Sequence, residues 1–260
     1  MKIGIQVSSF RPVLTTEDEV ALAFQRMKSM GCDTVQIQWI DPAVSVDFIA
    51  ETLKNTGINS VSLQDFYETI RENKAYYYTL NGATGGTWIC VSRIPERLKT
   101  REGLDDYVAE LREMASELDA LGQKLCFHPV SADFVPIAGL DPVEYLLEAM
   151  PELMICADLY HLNKSGKDMC AWLRRYRGRV CMVHFKDSRT VDGVEELVPA
   201  GQGDTDWRGV VETCLETGVA YAFAEQERWQ GDPFDRLEEA FNWLAGQASA
   251  CTQLRDFGSC

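Results

Sequence analysis

The stretch Val180-Cys181-Met182-Val183-His184-Phe185-Lys186-Asp187 joins a run of apolar residues to three side chains that can carry charge. A buried strand that ends on titratable side chains is typical of an active site at the carboxyl end of a barrel or sheet strand. The chain has three histidines, His128, His161 and His184, each at or just beyond the end of a short apolar run. This shared position favours one common site over three separate core histidines.

Alternation along the predicted strands indicates which side chains point inward. It places a polar residue at the inward-facing end of four consecutive strands: His128, Asp158, His184 and Glu225. Their mixed nitrogen and oxygen ligands suit Mn²⁺, Zn²⁺, Co²⁺ or Fe²⁺ better than an ion that prefers oxygen alone. The alternative is that these residues only cap the mouth of a barrel. Convergence from four separate strands favours a divalent-metal site.

The elements that position these residues alternate regularly along the chain. Segments with strand character are predicted at residues 3–7, 34–38, 58–63, 87–91, 125–128, 153–158, 180–185 and 221–225, each followed by a helical pattern. This alternation implies a parallel sheet, and eight repeats in a chain near the usual length of about 250 residues favour a closed (β/α)8 TIM barrel. We expect residues 1–260 to form one α/β domain.

Local signals predict where individual helices begin and end. Thr16 and Glu19 form a capping box at the start of the first helix, and Gly57 ends the second. The third helix is expected at about residues 70–80. A long polar loop should follow the seventh strand, on which Val180, Met182 and His184 form the inward-facing set. No clear pattern is present after residue 247.

Charge and composition exclude several classes of function. The chain has 40 acidic and 25 basic residues and a net charge of -15, which disfavours nucleic acid and anionic membranes as partners. Its start lacks the pattern of a signal peptide, and no apolar run reaches the roughly 20 residues that span a bilayer. Nine scattered cysteines without a C-x-x-C pair predict free thiols in a reducing compartment. We expect a cytoplasmic protein, for which a homo-oligomeric state is possible.

Five segments in the C-terminal half resemble a known family. They are Phe127-His128-Pro129 with Asp133-Phe134, Asp158-Leu159-Tyr160-His161, Val183-His184-Phe185-Lys186-Asp187, Gly201-Gln202-Gly203-Asp204 with Trp207, and Ala224-Glu225-Gln226-Glu227. In this order they resemble the xylose isomerase-like TIM barrels, which include sugar phosphate isomerases/epimerases and inosose dehydratases. The resemblance implies that Asp158, His184 and Glu225 bind a metal ion and that His161 contacts a sugar or polyol substrate.

Two positions depart from the pattern of that family. Many relatives have a glutamate at the end of strand five, and others have a His-Asn-His stretch followed by a glutamate. This chain has His128 at that point, with Asp133 five residues later. A histidine is common near the end of strand three, where this chain has Gln64. Metal binding is compatible with these changes, but a mechanism that needs two carboxylates for proton transfer loses one of them.

The predicted site suits proton transfer next to a carbonyl group. A divalent ion polarises a ketone or aldehyde and stabilises an enediolate, while a flanking base removes the α-proton. Glu225 is the expected base and His128 is either a fourth ligand or a second acid/base. Lys186 either stabilises an oxyanion or forms a salt bridge. Glu227, two residues beyond the strand, is expected to face the loops.

Other side chains are candidates for substrate binding. Arg93, Arg189 and Arg228 could bind a phosphate or carboxylate, although a solvated loop charge is the more common role. Trp39, Trp88 and Trp229 could stack on a sugar ring, and barrel packing explains them equally well. We expect the substrate contacts to be His161, Lys186, Arg228 and Trp88.

Four functions remain to be weighed. The favoured one is a metal-dependent isomerase or epimerase of a sugar, sugar phosphate or polyol ketone. The second is a lyase of the inosose-dehydratase kind on the same site, and another is a non-catalytic barrel that binds a sugar-like ligand. A nuclease of the same superfamily would need more histidines and a basic surface, which three histidines and a net charge of -15 disfavour.

Overall fold

Eight parallel strands close into a barrel in the computed structural model, which describes residues 1–228 and 230–257 and side chains up to residue 253. The strands, numbered in chain order, are β1 Lys2–Gln6, β2 Thr34–Ile37, β3 Asn59–Phe66, β4 Trp88–Ser92, β5 Lys124–His128, β6 Met154–Asp158, β7 Val180–Phe185, β8 Asp187–Val191, β9 Val194–Val198 and β10 Tyr221–Ala224. All except β8 and β9 form the barrel, which closes where β10 pairs with β1. The predicted (β/α)8 TIM barrel is confirmed.

Helices connect consecutive barrel strands and cover the outside of the barrel. They are α1 Glu17–Ser29, α2 Val46–Thr56, α3 Tyr67–Glu72, α4 Lys74–Ala83, α5 Arg101–Ala120, α6 Pro142–Ala149, α7 Leu159–Lys164, α8 Met169–Arg175, α9 Val210–Thr217 and α10 Pro233–Phe257. Each longer helix buries an apolar stripe, as α5 does with Leu104, Leu111 and Leu118. Within the described residues, no helix combines the length and apolar character needed to cross a membrane.

Two predicted helix boundaries are confirmed by hydrogen bonds and backbone angles. The Glu19 amide donates to the Thr16 hydroxyl, and the Thr16 amide donates to the Glu19 carboxylate, which completes the capping box at the start of α1. Gly57 ends α2 in the left-handed conformation with φ of 65°. These contacts satisfy backbone groups that a helix end otherwise leaves without partners.

The third predicted helix is wrong in detail, because the chain forms two helices that meet at Asn73. This residue leaves helical geometry with φ of -128° and ψ of 35°. Its side-chain amide donates to the Thr69 carbonyl oxygen at 3.0 Å. An asparagine that bonds to nearby backbone in this way competes with the helix, which explains the break between α3 and α4.

The long polar loop predicted after the seventh strand is wrong as well. The chain forms an antiparallel hairpin in which Asp187 pairs with Val198 and Val191 with Val194. Asp192 and Gly193 make the turn with φ values of 50° and 78°. An Asp-Gly pair at positive φ is the signal of a two-residue hairpin. Because the segment has many charged residues, it was predicted to be a polar loop and the turn was not recognised.

The C-terminal segment also differs from expectation, since α10 continues to residue 257, well beyond the end of the predicted pattern at residue 247. Inside the barrel, four cysteines lie below the polar strand ends: Cys90, Cys126, Cys156 and Cys181. Cys181 joins this inner layer instead of Val180, because the register of β6 and β7 shifts between Ile155 and Cys156. The eight cysteines with described side chains are free thiols, and Cys260 lies outside the described residues.

Candidate active site

Four neighbouring strands bring the predicted ligands to the same end of the barrel. His128 and Asp158 are the last residues of β5 and β6, His184 is the next to last residue of β7, and Glu225 follows β10 directly. Asp158 pairs in register with His184 across the sheet. All four side chains are buried. The strand order therefore produces the convergence that alternation along the strands predicts.

The two carboxylate oxygens of Asp158 have different roles, since one caps a helix and the other faces the candidate ligands. Its Oδ1 atom accepts a hydrogen bond from the His161 amide at 3.0 Å and caps the start of α7. Its Oδ2 atom is buried and lies 3.2 Å from Lys186 Nζ. Capping fixes the side-chain torsions, so the second oxygen is held toward the neighbouring strands.

The ligand atoms of this cluster lie close together. His184 Nδ1 is 2.8 Å from Glu225 Oε2 and 3.2 Å from His128 Nε2. His128 Nε2 is 3.8 Å from Asp158 Oδ2. One ligand atom from each of His128, Asp158 and His184 lies within 4.8 Å of the other two. These three residues could therefore hold a metal ion.

The donor atoms fit a divalent transition ion. Bonds of about 2.1 Å to nitrogen and oxygen place two ligands of one ion roughly 3 Å apart, as observed between His184 and its two neighbours. Oε2 of Glu225 and Oδ2 of Asp158 are both buried, and their near neighbours are His184 Nδ1 at 2.8 Å and Lys186 Nζ at 3.2 Å. A buried carboxylate needs a positive charge or a hydrogen-bond donor beside it, so both oxygens are suited to binding a cation.

Lys186 lies among the carboxylates of the site. Its Nζ atom is 3.2 Å from Asp158 Oδ2, 3.5 Å from Glu225 Oε1 and 3.6 Å from Glu227 Oε1. Burial of the ammonium group opposes its charge, but the carboxylates of Asp158 and Glu225 outweigh burial and raise its pKa. Lys186 is therefore a charged donor at neutral pH, not a base.

The charge of Lys186 also decides the ionisation of its partners. Burial alone would raise the pKa of the Asp158 and Glu225 carboxyls, but the adjacent ammonium group outweighs burial and lowers both pKa values. Burial, followed by the electrostatic effect of the neighbouring His184 ring, lowers the pKa of His128 to about 3. His128 is consequently neutral at pH 7 and has a lone pair available for a metal ion or a proton.

His161 lies at the edge of the cluster. Its Nε2 atom is 3.8 Å from Asp158 Oδ2, and its Nδ1 atom is buried without a hydrogen-bond partner. It lines a cavity of about 410 Å³ together with Phe66, Ser92, Arg93 and other residues of the loops after β3, β4 and β5. The cavity therefore adjoins the cluster at His161.

The structure does not bring every expected substrate contact to this site. Trp88 is the first residue of β4 and pairs with Lys124, the first residue of β5, so it lies at the opposite end of the barrel. It packs on the cysteine layer, and its choice as a substrate contact is wrong because it lies at the amino end of its strand, whereas the candidate ligands lie at the carboxyl ends. Arg228 is exposed, and no side-chain contact joins it to the described cluster.

The other aromatic and arginine candidates have different surroundings. Arg189 pairs with Glu196 within the hairpin. Trp39 donates from Nε1 to Asp65 Oδ1 at 3.3 Å. Trp229 lies outside the described residues. Arg93 projects into the cavity described above.

Three residues that contact the cluster were missed by the sequence patterns. Ser92 Oγ lies 3.1 Å from His128 Nδ1, and a serine at the end of a strand carries no distinctive signal. Gln36 Oε1 lies 2.5 Å from His184 Nε2, and a glutamine within an apolar strand was the available clue. Glu227 is half exposed, as expected of a loop residue, yet it reaches Lys186.

Asp187 explains the spacing between the lysine-containing segment and the later Gly-x-Gly segment. Its buried Oδ2 atom accepts hydrogen bonds from the amides of Gly201 and Gly203, both at 3.0 Å, and from Trp207 Nε1 at 2.8 Å. A side chain at Gly203 would place a Cβ atom 2.1 Å from Asp187 Oδ1. Asp187 thus holds the loop after the hairpin against the end of β7.

Gln64, at the position where relatives have a histidine, is buried near the end of β3. Its Nε2 atom donates to Gln38 Oε1 at 3.4 Å. No described contact connects Gln64 with the four candidate ligands, so the change from histidine leaves the cluster intact.

The barrel and its strand-end cluster define a TIM-barrel protein with a candidate divalent-metal centre. The chain belongs to the xylose isomerase-like TIM barrel family, whose model matches residues 17–247. The expected family is confirmed. A comparison with curated proteins gives no match.

Solved structures with the same fold are similar to this chain at low sequence identity. L-ribulose 3-epimerase is 14% identical with a TM-score of 0.77, covering 100% of this chain and 99% of that chain. A probable 3-DHS dehydratase, AsbF of Bacillus anthracis, is 14% identical with a TM-score of 0.71, covering 94% and 99%. An IOLI protein with a bound zinc atom is 17% identical with a TM-score of 0.71, covering 96% of each chain. At these identities the likeness establishes the fold alone.

Proposed function

We propose that this chain is a divalent-metal-dependent isomerase or epimerase of a sugar, sugar phosphate or polyol ketone, acting by proton transfer through an enediolate. The observation that carries the proposal is the placement of Glu225. Its buried carboxylate contacts both His184 and Lys186, beside the group formed by His128, Asp158 and His184.

The residues that would hold the ion are Asp158, His184 and Glu225, with His128 as the fourth ligand. The zinc atom bound by the IOLI protein, which has the same fold, and the burial of both carboxylates beside His184 support this assignment. When bound, Mn²⁺, Zn²⁺, Co²⁺ or Fe²⁺ would polarise the substrate carbonyl and lower the energy of the developing negative charge.

Glu225 is the proposed base. Its carboxylate is ionised at neutral pH, which is the form that accepts the α-proton of a bound ketone, although the lowered pKa makes it a weaker base than a free glutamate. The charged Lys186 then donates a hydrogen bond to the oxyanion that forms. Delivery of a proton from water to the opposite face gives an epimer. Return of the proton to the neighbouring carbon, with transfer of the hydroxyl proton to the former carbonyl oxygen, gives an isomer. If His128 is not a ligand, its ring can relay the proton from water to the opposite face.

The adjoining cavity supports a small polar substrate. Its volume of about 410 Å³ lies within the usual range for small-molecule sites. His161 connects the cavity with Asp158 and has a buried nitrogen without a hydrogen-bond partner. It is therefore our proposed contact for a substrate hydroxyl group.

A lyase of the dehydratase kind is the second candidate, since a probable dehydratase, AsbF, is among the solved structures with this fold. The same base would remove the α-proton, after which the β-hydroxyl leaves as water. Lys186 or His161 would supply a proton to the departing hydroxyl group.

Proton exchange in D₂O tests both candidates. The purified protein is freed of metal, reloaded with Mn²⁺, Co²⁺ or Zn²⁺, and incubated with keto sugars, their phosphates and inososes. An isomerase or epimerase incorporates deuterium at the carbon next to the carbonyl and conserves substrate mass apart from the label. A dehydratase forms a product lighter by one water. Absence of exchange and of dehydration with every metal and substrate class would favour the non-catalytic barrel.

A further inference from the structure

Two buried glutamines connect the backbone of the first strand with His184. Gln6 is the last residue of β1 and pairs in register with Gln36 of β2. Gln6 Nε2 donates to Gln36 Oε1 at 2.7 Å, and the same oxygen lies 2.5 Å from His184 Nε2. Gln6, Gln36 and His184 have no exposed surface. Gln6 and Gln36 are not among the four candidate ligands, and the chain of contacts reaches that group at His184.

The direction of the hydrogen bonds follows from a backbone amide. The Ser8 N–H donates a long hydrogen bond of 3.5 Å to Gln6 Oε1, which favours the amide oxygen of Gln6 on that side and its NH₂ group on the other. The NH₂ group must meet an acceptor, so Gln36 presents its oxygen to Gln6. The same oxygen faces His184 Nε2, and two lone pairs at 2.5 Å would repel each other. Nε2 of His184 therefore carries a hydrogen.

The other ring nitrogen faces the candidate ligands. A histidine that binds a metal ion is a neutral imidazole with one protonated nitrogen, so a hydrogen on Nε2 leaves the Nδ1 lone pair for the ion, whose charge would also offset the repulsion between that lone pair and Glu225 Oε2. Nδ1 lies 2.8 Å from Glu225 Oε2 and 3.2 Å from His128 Nε2. Cys156 Sγ, at 3.2 Å from Nε2, is a second and weaker acceptor for the same hydrogen.

We infer that Gln36 is a positioning residue that holds His184 in the tautomer with Nδ1 free for the metal ion, and that Gln6 orients Gln36. The inference rests on the metal-dependent function proposed above. A metal-bound histidine usually donates its other N–H to a carboxylate, a carbonyl or water, and loss of that partner typically weakens metal affinity by about 10- to 100-fold. Here a neutral amide, ordered from the backbone of β1, takes that role.

Zn²⁺ affinity, measured by competition with a chromogenic chelator, tests the role of Gln36. Gln36→Leu should weaken binding by about 10- to 100-fold. Gln36→Glu keeps an acceptor and should retain the parental affinity. Gln6→Leu leaves His184 untouched but frees the Gln36 amide to rotate, so it should weaken binding to a smaller extent. Gln38→Leu is the matched control, because Gln38 is buried near the end of the same strand and bonds to Gln64 instead.

The tautomer of His184 gives a readout that a purely structural role would not change. A ¹H–¹⁵N spectrum of the Zn²⁺-loaded parent should show a slowly exchanging proton on Nε2 and a metal-bound Nδ1. This spectrum and the Gln6→Leu variant keep the inference testable if Gln36→Leu does not fold. A proton on Nδ1, or parental Zn²⁺ affinity in Gln36→Leu, would overturn the role of Gln36 alone. Failure of the parent to bind Zn²⁺ would overturn the proposed function together with this inference.

Discussion

His184 Nδ1 and Glu225 Oε2 lie 2.8 Å apart on neighbouring strands, and both side chains are buried. An imidazole lone pair and a carboxylate oxygen at this distance would repel each other unless a positive charge lies with them. A proton on the ring or a metal ion bound to both atoms supplies that charge. Replacing either residue should therefore weaken the binding of that proton or metal ion by the pair as a whole.

Removing a ligand should lower the metal content of the protein. We expect Asp158→Ala and His184→Ala to copurify with less divalent ion and to bind added Zn²⁺ more weakly, because each loses a donor atom. Elemental analysis of folded protein provides the measurement. His161→Ala is the control, since its ring lies 3.8 Å from Asp158 but is not among the candidate ligands. Equal metal content in all variants would contradict the site.

His128 is the position at which this chain departs from relatives with a glutamate. Its Nε2 atom lies 3.2 Å from His184 Nδ1, so we expect His128→Ala to lose metal affinity and α-proton exchange together. Zn²⁺ titration and exchange are measured on the same preparation. Retained metal with lost exchange would instead make His128 the second acid/base.

Lys186 should stabilise the metal-free protein. Lys186→Met leaves Asp158 and Glu225 buried without their cation, and breaking a buried ion pair costs about 3–5 kcal/mol of unfolding free energy. Zn²⁺ should then stabilise this variant more than the parent, because the ion replaces the lost charge. Urea denaturation with chelator and with Zn²⁺ measures both effects.

The control for Lys186 is Lys167→Met, which removes a lysine whose partner is Asp141 near the protein surface. We expect this loss to be below about 1 kcal/mol, because water screens partly exposed pairs. Equal destabilisation of the two variants would show that the buried charges at the site have no special role.

Asp187 should contribute to the free energy of unfolding and should not contribute directly to metal affinity. Asp187→Ala leaves the amides of Gly201 and Gly203 and the Trp207 indole without their acceptor. Hydrogen bonds to a charged group contribute about 1.5–3 kcal/mol each, so we expect a loss of roughly 3 kcal/mol or more in unfolding free energy. Asp187→Asn, which keeps one acceptor oxygen, should lose less. Equal urea midpoints for the parent and Asp187→Ala would contradict this structural role.

Much of the barrel was predictable because its determinants are local. Alternating strand and helix patterns predicted the parallel barrel, and the capping box at Thr16 and the glycine at position 57 predicted helix ends. The same local rules missed the hairpin and the break at Asn73. In both cases short polar residues, which look alike in any loop, determine the backbone through specific hydrogen bonds and turn angles.

The candidate ligands were predictable from alternation along the strands, but the residues that orient them were not. The contact between Gln36 and His184 joins residues 148 positions apart in the chain, on strands that are not hydrogen-bonded neighbours. Trp88 was wrong for a simpler reason, because it was chosen for lying near a strand end without regard to which end, and it begins β4. Such contacts form only when the barrel closes, and a pattern within one segment of the sequence does not predict which distant residues closure brings together.

Glu225 is the residue on which the proposed chemistry depends. Glu225→Gln keeps an oxygen donor but removes the negative charge and the basicity, so it should weaken metal binding only in part and abolish removal of the α-proton. Glu227→Gln is the matched control, because it changes a second glutamate of the same segment that also contacts Lys186.

The decisive measurement is the rate of α-proton exchange in D₂O, on a substrate established with the parent and at saturating metal concentration. The account predicts exchange by the parent and by Glu227→Gln, and none by metal-loaded Glu225→Gln. Exchange at the parental rate in Glu225→Gln would contradict the central claim, and loss of exchange in Glu227→Gln alone would move the role of base to that residue.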